Sequence, residues 1–329
     1  MRIAIVVQTH LLPIFLYNNT IMTITNQTRP RIAAFPKCYI DDIAIHKTMS
    51  LFEWIDMAKS LKTAGAEGLE LFEGFLWSHD TAYLDSVGEA ITNAGFAMPM
   101  MCCSPDFTHP DAGTRARAFE HEVKMIEITR YLGGVGATCR VLSGERHPGV
   151  SVQQGVDWVI DAITRLIPLA REYEIVLGME NHYKDGRWRF PEFAQKREVF
   201  LQIVNSIPER EYFGVQYDPS NAIVAGDDPI ALLDEVKERV VSMHASDRYL
   251  VEGASLDALR QSDGTLGYSP DLRHGVTGKG LNDYAAIFGL LRDVNYRRWI
   301  SIEDGMNGLN EMRESVVFLA EMRDRYFPV

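Results

Sequence analysis

Residues 175–180 read IVLGME: five residues of a buried-strand type, then a carboxylate. The same shape returns three more times, as YFGVQYD (212–218), VVSMH (240–244) and WISIE (299–303). Each run is apolar and stops at a residue able to ligate a cation: Glu180, Asp218, His244 and Glu303. A helix-like segment follows nearly every run. When a parallel sheet closes into a barrel, the C-terminal ends of its strands share one rim, and such barrels keep their chemistry there. Three oxygen ligands and one imidazole suit a divalent cation, Mn²⁺ first, with Mg²⁺ or Co²⁺ as alternatives.

The alternation extends in both directions from this block. Upstream, RIAAF (31–35), GLELF (68–72), FAMPMMC (96–102) and GATCRVL (136–142) read as strands one to four. Helices are expected over 50–65, 80–95, 113–132 and 151–173, with Asp80 capping the second. Further helices are expected over 191–207, opened by Pro191, and over 227–239, 281–294 and 310–327. Eight βα units in order imply parallel strands with right-handed crossovers, and eight fit a closed (β/α)8 TIM barrel. An open doubly wound sheet is the competing fold. No GxGxxG follows the first strand, which weakens its nucleotide-binding form.

Residues 1–29 read as an extension ahead of a single barrel domain over 30–329. The stretch 3–16 is apolar but broken by Gln8, Thr9, His10 and Pro13. A signal peptide and an upstream extension with Met22 as the working start are both open readings. The wide gap between His244 and Glu303 holds residues 248–280, rich in Gly, Ser and Asp, which read as a lid-like insertion.

The chain has 329 residues, 46% hydrophobic and 24% charged, and a net charge of −12. That charge gives no general attraction to nucleic acid, and no segment is apolar enough to span a membrane. Cys38, Cys102, Cys103 and Cys139 lack CxxC spacing, so reduced thiols in a cytoplasmic protein are expected.

Other residues near the expected rim are candidates for substrate binding. Lys37 lies just after strand one, and Arg140 lies within strand four, where an inward guanidinium needs an anion or several acceptors. Asp106 and His109 follow strand three. Asn221 lies in DPSN (218–221), Asp247 in HASD (244–247), and Arg248 follows it. His182 falls on the same side of an extended segment as Glu180 and reads as a proton shuttle or an orienting partner. Asp247 reads as support for His244. Trp77, Phe107 and Trp188 are candidates for an apolar wall against a sugar.

On these residues the chain resembles the sugar phosphate isomerase/epimerase family, with its xylose-isomerase-like barrel, over roughly residues 31–327. The resemblance implies one divalent cation on Glu180, Asp218, His244 and Glu303, with Glu180 and Glu303 doubling as the acid/base pair. HGVTGKGLNDY (274–284) looks like the family's Gly-x-Gly segment, and the ENH phrase (180–182) and GLELF are similar to family motifs. Two positions depart from sugar epimerases of the family: Asn221 stands where histidine is common, and Arg248 is spaced differently from the usual arginine.

The implied activity is isomerisation or epimerisation of a keto-sugar or polyol through an enediolate. A lyase or dehydratase acting on a 3-keto-glycoside or keto-inositol shares the first proton abstraction and is the alternative. A phosphodiester hydrolase like the apurinic endonucleases, with His79, His109 and Glu70 as extra ligands, is opposed by the acidic charge. A non-enzymatic binding module is the remaining reading. The expected partner is a small carbohydrate, with no nucleic acid or membrane, and a homo-oligomer by analogy with barrels that pair.

Overall fold

A computed structural model describes residues 27–261, 269–303 and 305–329. The expected N-terminal extension, up to residue 26, lies outside the described residues, as do positions 262–268 of the insertion and Asp304.

The barrel strands are β1 (Arg31–Ala34), β2 (Gly68–Leu69), β3 (Leu71–Phe72), β4 (Met100–Cys102), β5 (Thr138–Val141), β6 (Val176–Glu180), β7 (Phe213–Tyr217), β8 (Val240–Ala245) and β11 (Trp299–Ile302). They pair in parallel, in the order β2-β1-β11-β8-β7-β6-β5-β4-β3. The expected second strand, GLELF, is split at Glu70 into β2 and β3. β2 pairs with β1, and β3 pairs with β4, so this one segment bridges the two ends of the sheet. The nine pieces therefore make an eight-position parallel barrel. Its strands are buried almost throughout, as expected when helices cover the outside.

The outer helices are α1 (Leu51–Ala58), α2 (Thr81–Asn93), α3 (Ala112–Gly133), α4 (Val152–Glu172), α5 (Arg197–Ser206), α7 (Pro229–Val236), α9 (Tyr284–Asp293) and α10 (Leu309–Tyr326). Their starts follow capping chemistry. Ser50 and Glu53 form a reciprocal capping box at α1, and Asp111, Ser151, Asp228 and Asp283 cap α3, α4, α7 and α9. Among the described residues no helix is long and apolar enough to cross a membrane.

Several local expectations need correction. Asp80 stands at the N-cap of α2, but its side chain does not cap it; Oδ2 accepts from Ser78 Oγ instead. The regular part of strand three is only Met100–Cys102. Residues 191–196 are not helical. Their backbone donors are taken by neighbouring rim loops: Glu192 N–H by Tyr183 O, Phe193 N–H by Gly144 O and Ala194 N–H by Ser143 Oγ. With those groups engaged elsewhere, the helix starts at Arg197 despite Pro191. A short helix not expected from sequence, α6 (Pro219–Ala225), begins directly after Asp218, which caps it.

The insertion contains an antiparallel hairpin, β9 (Asp247–Leu250) with β10 (Leu272–Gly275), and α8 (Leu256–Gln261) between them. The Gly-x-Gly segment that follows wraps Asp247. A Cβ at Gly280 would lie 2.3 Å from both Asp247 Oδ1 and Arg248 O, so only glycine allows this approach. Gly278 adopts φ +86°, the left-handed region that glycine enters freely.

Candidate metal centre

The C-terminal rim collects the four ligand-type side chains from four barrel strands. Glu180 ends β6, Asp218 follows β7, His244 lies on β8 and Glu303 follows β11. Glu180, Asp218 and His244 each bring a ligand-type atom within 4.8 Å of the other two, and all three are buried. His244 Nδ1 lies 3.2 Å from Glu180 Oε1 and 3.7 Å from Glu303 Oε2. Glu303 thus borders the tighter three-residue group.

Each ligand-type residue is held from outside the cluster. Arg140 Nη1 donates to Glu180 Oε2 at 2.7 Å, and Asn221 Nδ2 donates to Glu180 Oε1 at 3.2 Å. Arg140 is itself anchored on Cys103 O and Ser104 Oγ. Asp218 Oδ1 accepts from Ser220 N, Asn221 N and Ser246 Oγ. The Asp218 backbone exchanges two hydrogen bonds with the Asn181 side chain. Lys37 Nζ lies 3.1 Å from Glu303 Oε2. His244 Nε2 lies 2.6 Å from Glu70 Oε1, with the Gln216 amide nitrogen at 3.0 Å.

This packing sets the protonation pattern. Burial pushes the Glu180 carboxyl up, but Arg140, His244 and His182 outweigh it and hold it far below the usual carboxylate range. Burial likewise raises Glu303, and Lys37 and His244 reverse the sign and lower it. Among the described residues no lysine or arginine pairs with Asp218 as Arg140 pairs with Glu180 and Lys37 with Glu303. Burial, then Glu303 and Glu180, push Asp218 up to about 6. Burial lowers the His244 imidazole, yet Glu70, Glu303 and Glu180 leave it well above its ordinary value.

The donor set fits a divalent cation. Glu70, Glu180, Asp218 and Glu303 contribute four carboxylates, against the permanent cations Arg140 and Lys37. With His244 neutral, as a metal ligand must be, two negative charges are left over in a buried space. His244 already turns one nitrogen to a supporting carboxylate and the other to the ligand-type oxygens. Metal-bound histidines are ordinarily held in this way.

The remaining candidates fall into two groups. Lys37, Arg140 and Asn221 contact the cluster directly, as described. His182 lies one step away: Nδ1 is 3.3 Å from Glu192 Oε2, and its ring stands edge-on to Trp188. Burial lowers His182, but Glu180 and Glu192 raise it overall. Asp247 accepts from the backbone N–H groups of Arg248, Gly278, Gly280 and Asn282, and so anchors the Gly-x-Gly loop. The support behind His244 that the sequence assigned to Asp247 is Glu70. Arg248 is buried on β9 opposite His274. Asp106 and His109 meet His147 on the rim of β4 and β5, with Asp106 Oδ2 2.8 Å from His147 Nε2. Of the proposed apolar wall, Phe107 is buried, and Trp77 donates its indole N–H to Ile43 O.

Gln216, Asn181 and Glu192 were not assigned to the site from sequence, and Glu70 was named only as an extra ligand in the hydrolase reading. Glu70 carried a signal: a carboxylate flanked by leucines within an apolar strand, where burial demands a partner.

Comparison with known proteins agrees with this architecture. A curated relative, the rhizopine catabolism protein MocC of Rhizobium meliloti, is 27% identical over 197 residues, covering 56% of each chain. The match thus spans little more than half of that relative's length. A solved D-tagatose 3-epimerase-like protein superposes with a TM-score of 0.67 at 15% identity, covering 90% of this chain and 98% of that one. The probable 3-DHS dehydratase AsbF of Bacillus anthracis superposes with a TM-score of 0.66 at 12% identity, covering 88% and 98%. At such identities the structural likeness is one of fold. The family model described as the xylose isomerase-like TIM barrel matches residues 58–322, four-fifths of the sequence, and the chain belongs to that family.

Proposed function

We propose that the protein is a divalent-metal-dependent isomerase or epimerase of a keto-sugar or related polyol. The observation that carries this reading is the setting of His244. Its Nδ1 faces Glu180 and Glu303, Asp218 completes the group, and Glu70 holds the opposite nitrogen. Glu180, Asp218, His244 and Glu303 would be the ligands, with Mn²⁺ the first choice for an oxygen-rich set carrying one imidazole. The cation, when bound, supplies positive charge against the oxygens of an enediolate.

The chain's own residues divide the remaining work. A proton next to a carbonyl is removed by a carboxylate at the rim and returned to the opposite face or the neighbouring carbon. Glu180 and Glu303 are the carboxylates assigned to that exchange. Lys37 and Arg140 keep both ionised, and Asn221 orients Glu180. Asp106, His109 and Arg248 are assigned to the outer substrate wall. The β9–β10 hairpin, tied to the rim through Asp247, is assigned as the cover.

One observation favours a second reading. His182 is a third titratable group beside Glu180, backed by a buried carboxylate. A leaving group next to the enediolate needs such a proton donor, so β-elimination from a keto-sugar is the alternative.

Incubating manganese-loaded protein with keto-sugars in D₂O tests both. Solvent deuterium in an isomeric product supports isomerisation, and loss of water or an aglycone supports the lyase. Absence of exchange and of elimination across a broad panel rejects both readings.

A further inference from the structure

Behind the barrel wall, away from the rim cluster, a second set of metal-ligating side chains meets. Side chains alternate across a strand. Cys102 and Arg140 point inward, where they meet Glu70 and Glu180. Their neighbours Cys103 and Cys139 point outward, toward α3. Cys103 Sγ lies 3.9 Å from Cys139 Sγ, and Cys139 Sγ lies 3.4 Å from Glu122 Oε1 on α3. All three residues are fully buried, at 0% exposure.

The layer between a barrel and its helices is ordinarily aliphatic, and a carboxyl within it needs partners. Glu122 has one, the Cys139 thiol, through Oε1. Its Oε2 is buried with no hydrogen-bond partner among the described residues. A purely hydrogen-bonded cluster therefore leaves a carboxyl oxygen unsatisfied. Burial pushes both Glu122 and Cys103 well above their ordinary range. For Cys139, burial is outweighed by hydrogen bonds with Cys103, Thr129 and Glu122, and the thiol is lowered.

The two spacings match edges of a zinc coordination shell. Zn–S bonds of about 2.3 Å and Zn–O bonds of about 2.0 Å set S···S edges of about 3.8 Å and S···O edges of about 3.5 Å. We propose that Cys103, Cys139 and Glu122 form a structural site for a thiophilic divalent cation, zinc foremost. Glu122 binds through both oxygens, so four donor atoms surround the ion and the unpaired oxygen is satisfied. The cation replaces the thiol protons and pins α3 to β4 and β5. Cys103 O accepts from Arg140 Nε, so the pin also fixes the guanidinium that grips Glu180.

Cobalt substitution of the full chain separates this site from the rim, whose assigned ligands are all oxygen or nitrogen. Full-length protein refolded with Co²⁺ under reducing conditions should bind two ions per chain and show a near-ultraviolet thiolate-to-cobalt band. The double variant Cys103→Ser/Cys139→Ser should lose the band and retain one ion. Zinc-edge X-ray absorption of wild-type protein should find about two sulfur neighbours per chain at about 2.3 Å. That measurement decides the matter if the variant does not fold. A wild-type chain with one metal and only oxygen or nitrogen neighbours overturns the proposal. So does a band of undiminished strength in the double variant Cys103→Ser/Cys139→Ser, which traces to Cys38 or Cys102.

Discussion

Glu70 Oε1 lies 2.6 Å from His244 Nε2, across 174 positions of sequence, and fixes the imidazole so that Nδ1 faces Glu180 and Glu303. Both residues are buried. A carboxylate behind a metal-binding histidine sets its tautomer and raises its basicity. Glu70→Gln keeps the shape and removes the charge. Metal affinity should fall roughly 10–100-fold, the usual effect of losing such a partner. Isothermal titration with Mn²⁺ measures this, and unchanged affinity would detach Glu70 from the site.

Arg140 is the counter-charge that keeps Glu180 ionised in the interior. Replacing it by methionine preserves most of the volume and strands a buried carboxylate. Breaking a buried pair from one side costs about 3–5 kcal/mol. Metal-free Arg140→Met should therefore unfold at lower denaturant by about that amount. Saturating Mn²⁺ should recover part of the loss, because the cation replaces the missing charge. A variant as stable as wild type without metal would contradict this account of Glu180.

The rim residues differed in how readable they were. Glu180, Asp218, His244 and Glu303 each end an apolar run, so strand polarity alone brings them to one rim. Glu70 sits inside its strand, with leucine on both sides, and nothing local says which residue it faces. Only closure of the barrel brings it beside His244. Glu192 was hidden differently. Residues 191–207 have helical spacing, but Glu192, Phe193 and Ala194 give their backbone N–H groups to rim loops, and Glu192 turns inward to Ser143 and His182. Asp247 was read from its nearness in sequence to His244, whereas its geometry serves the glycine loop. Contacts set by strand ends were legible, and those set by long-range closure were not.

Asp218 makes the site sensitive to acid. Its carboxyl titrates near 6 because burial, Glu303 and Glu180 all oppose its ionisation. A ligand must be deprotonated to bind, so Mn²⁺ affinity should be level above pH 7 and fall roughly tenfold per unit below pH 6. The linkage to folding has the opposite sense. The folded value exceeds the ordinary 3.8, so the proton stabilises the metal-free fold fully below pH 4. That stability is lost as pH rises through 6. The shift corresponds to about 3 kcal/mol. Metal-free Asp218→Asn should therefore be more stable than wild type at pH 8, with the gap closing toward pH 4. Chemical denaturation at the two pH values reads the difference.

His182 separates the two candidate reactions. Its Nδ1 is engaged by Glu192, whose other oxygen is fixed by Ser143, which leaves Nε2 as the nitrogen available to exchange a proton. Glu180 and Glu192 raise the imidazole against the effect of burial, which shifts it toward the protonated, donating form. His182→Asn removes the acid and no assigned metal ligand. Mn²⁺ affinity should stay within about twofold, while turnover falls by about 10²–10⁴, the range for a lost general acid or base. The split between exchange and product then assigns the role. If deuterium still enters the substrate while product vanishes, proton abstraction is intact and His182 serves the departing group, as a lyase requires. If exchange and product fall together, His182 belongs to the proton transfer of an isomerase. Wild-type turnover in the variant would remove it from the chemistry altogether.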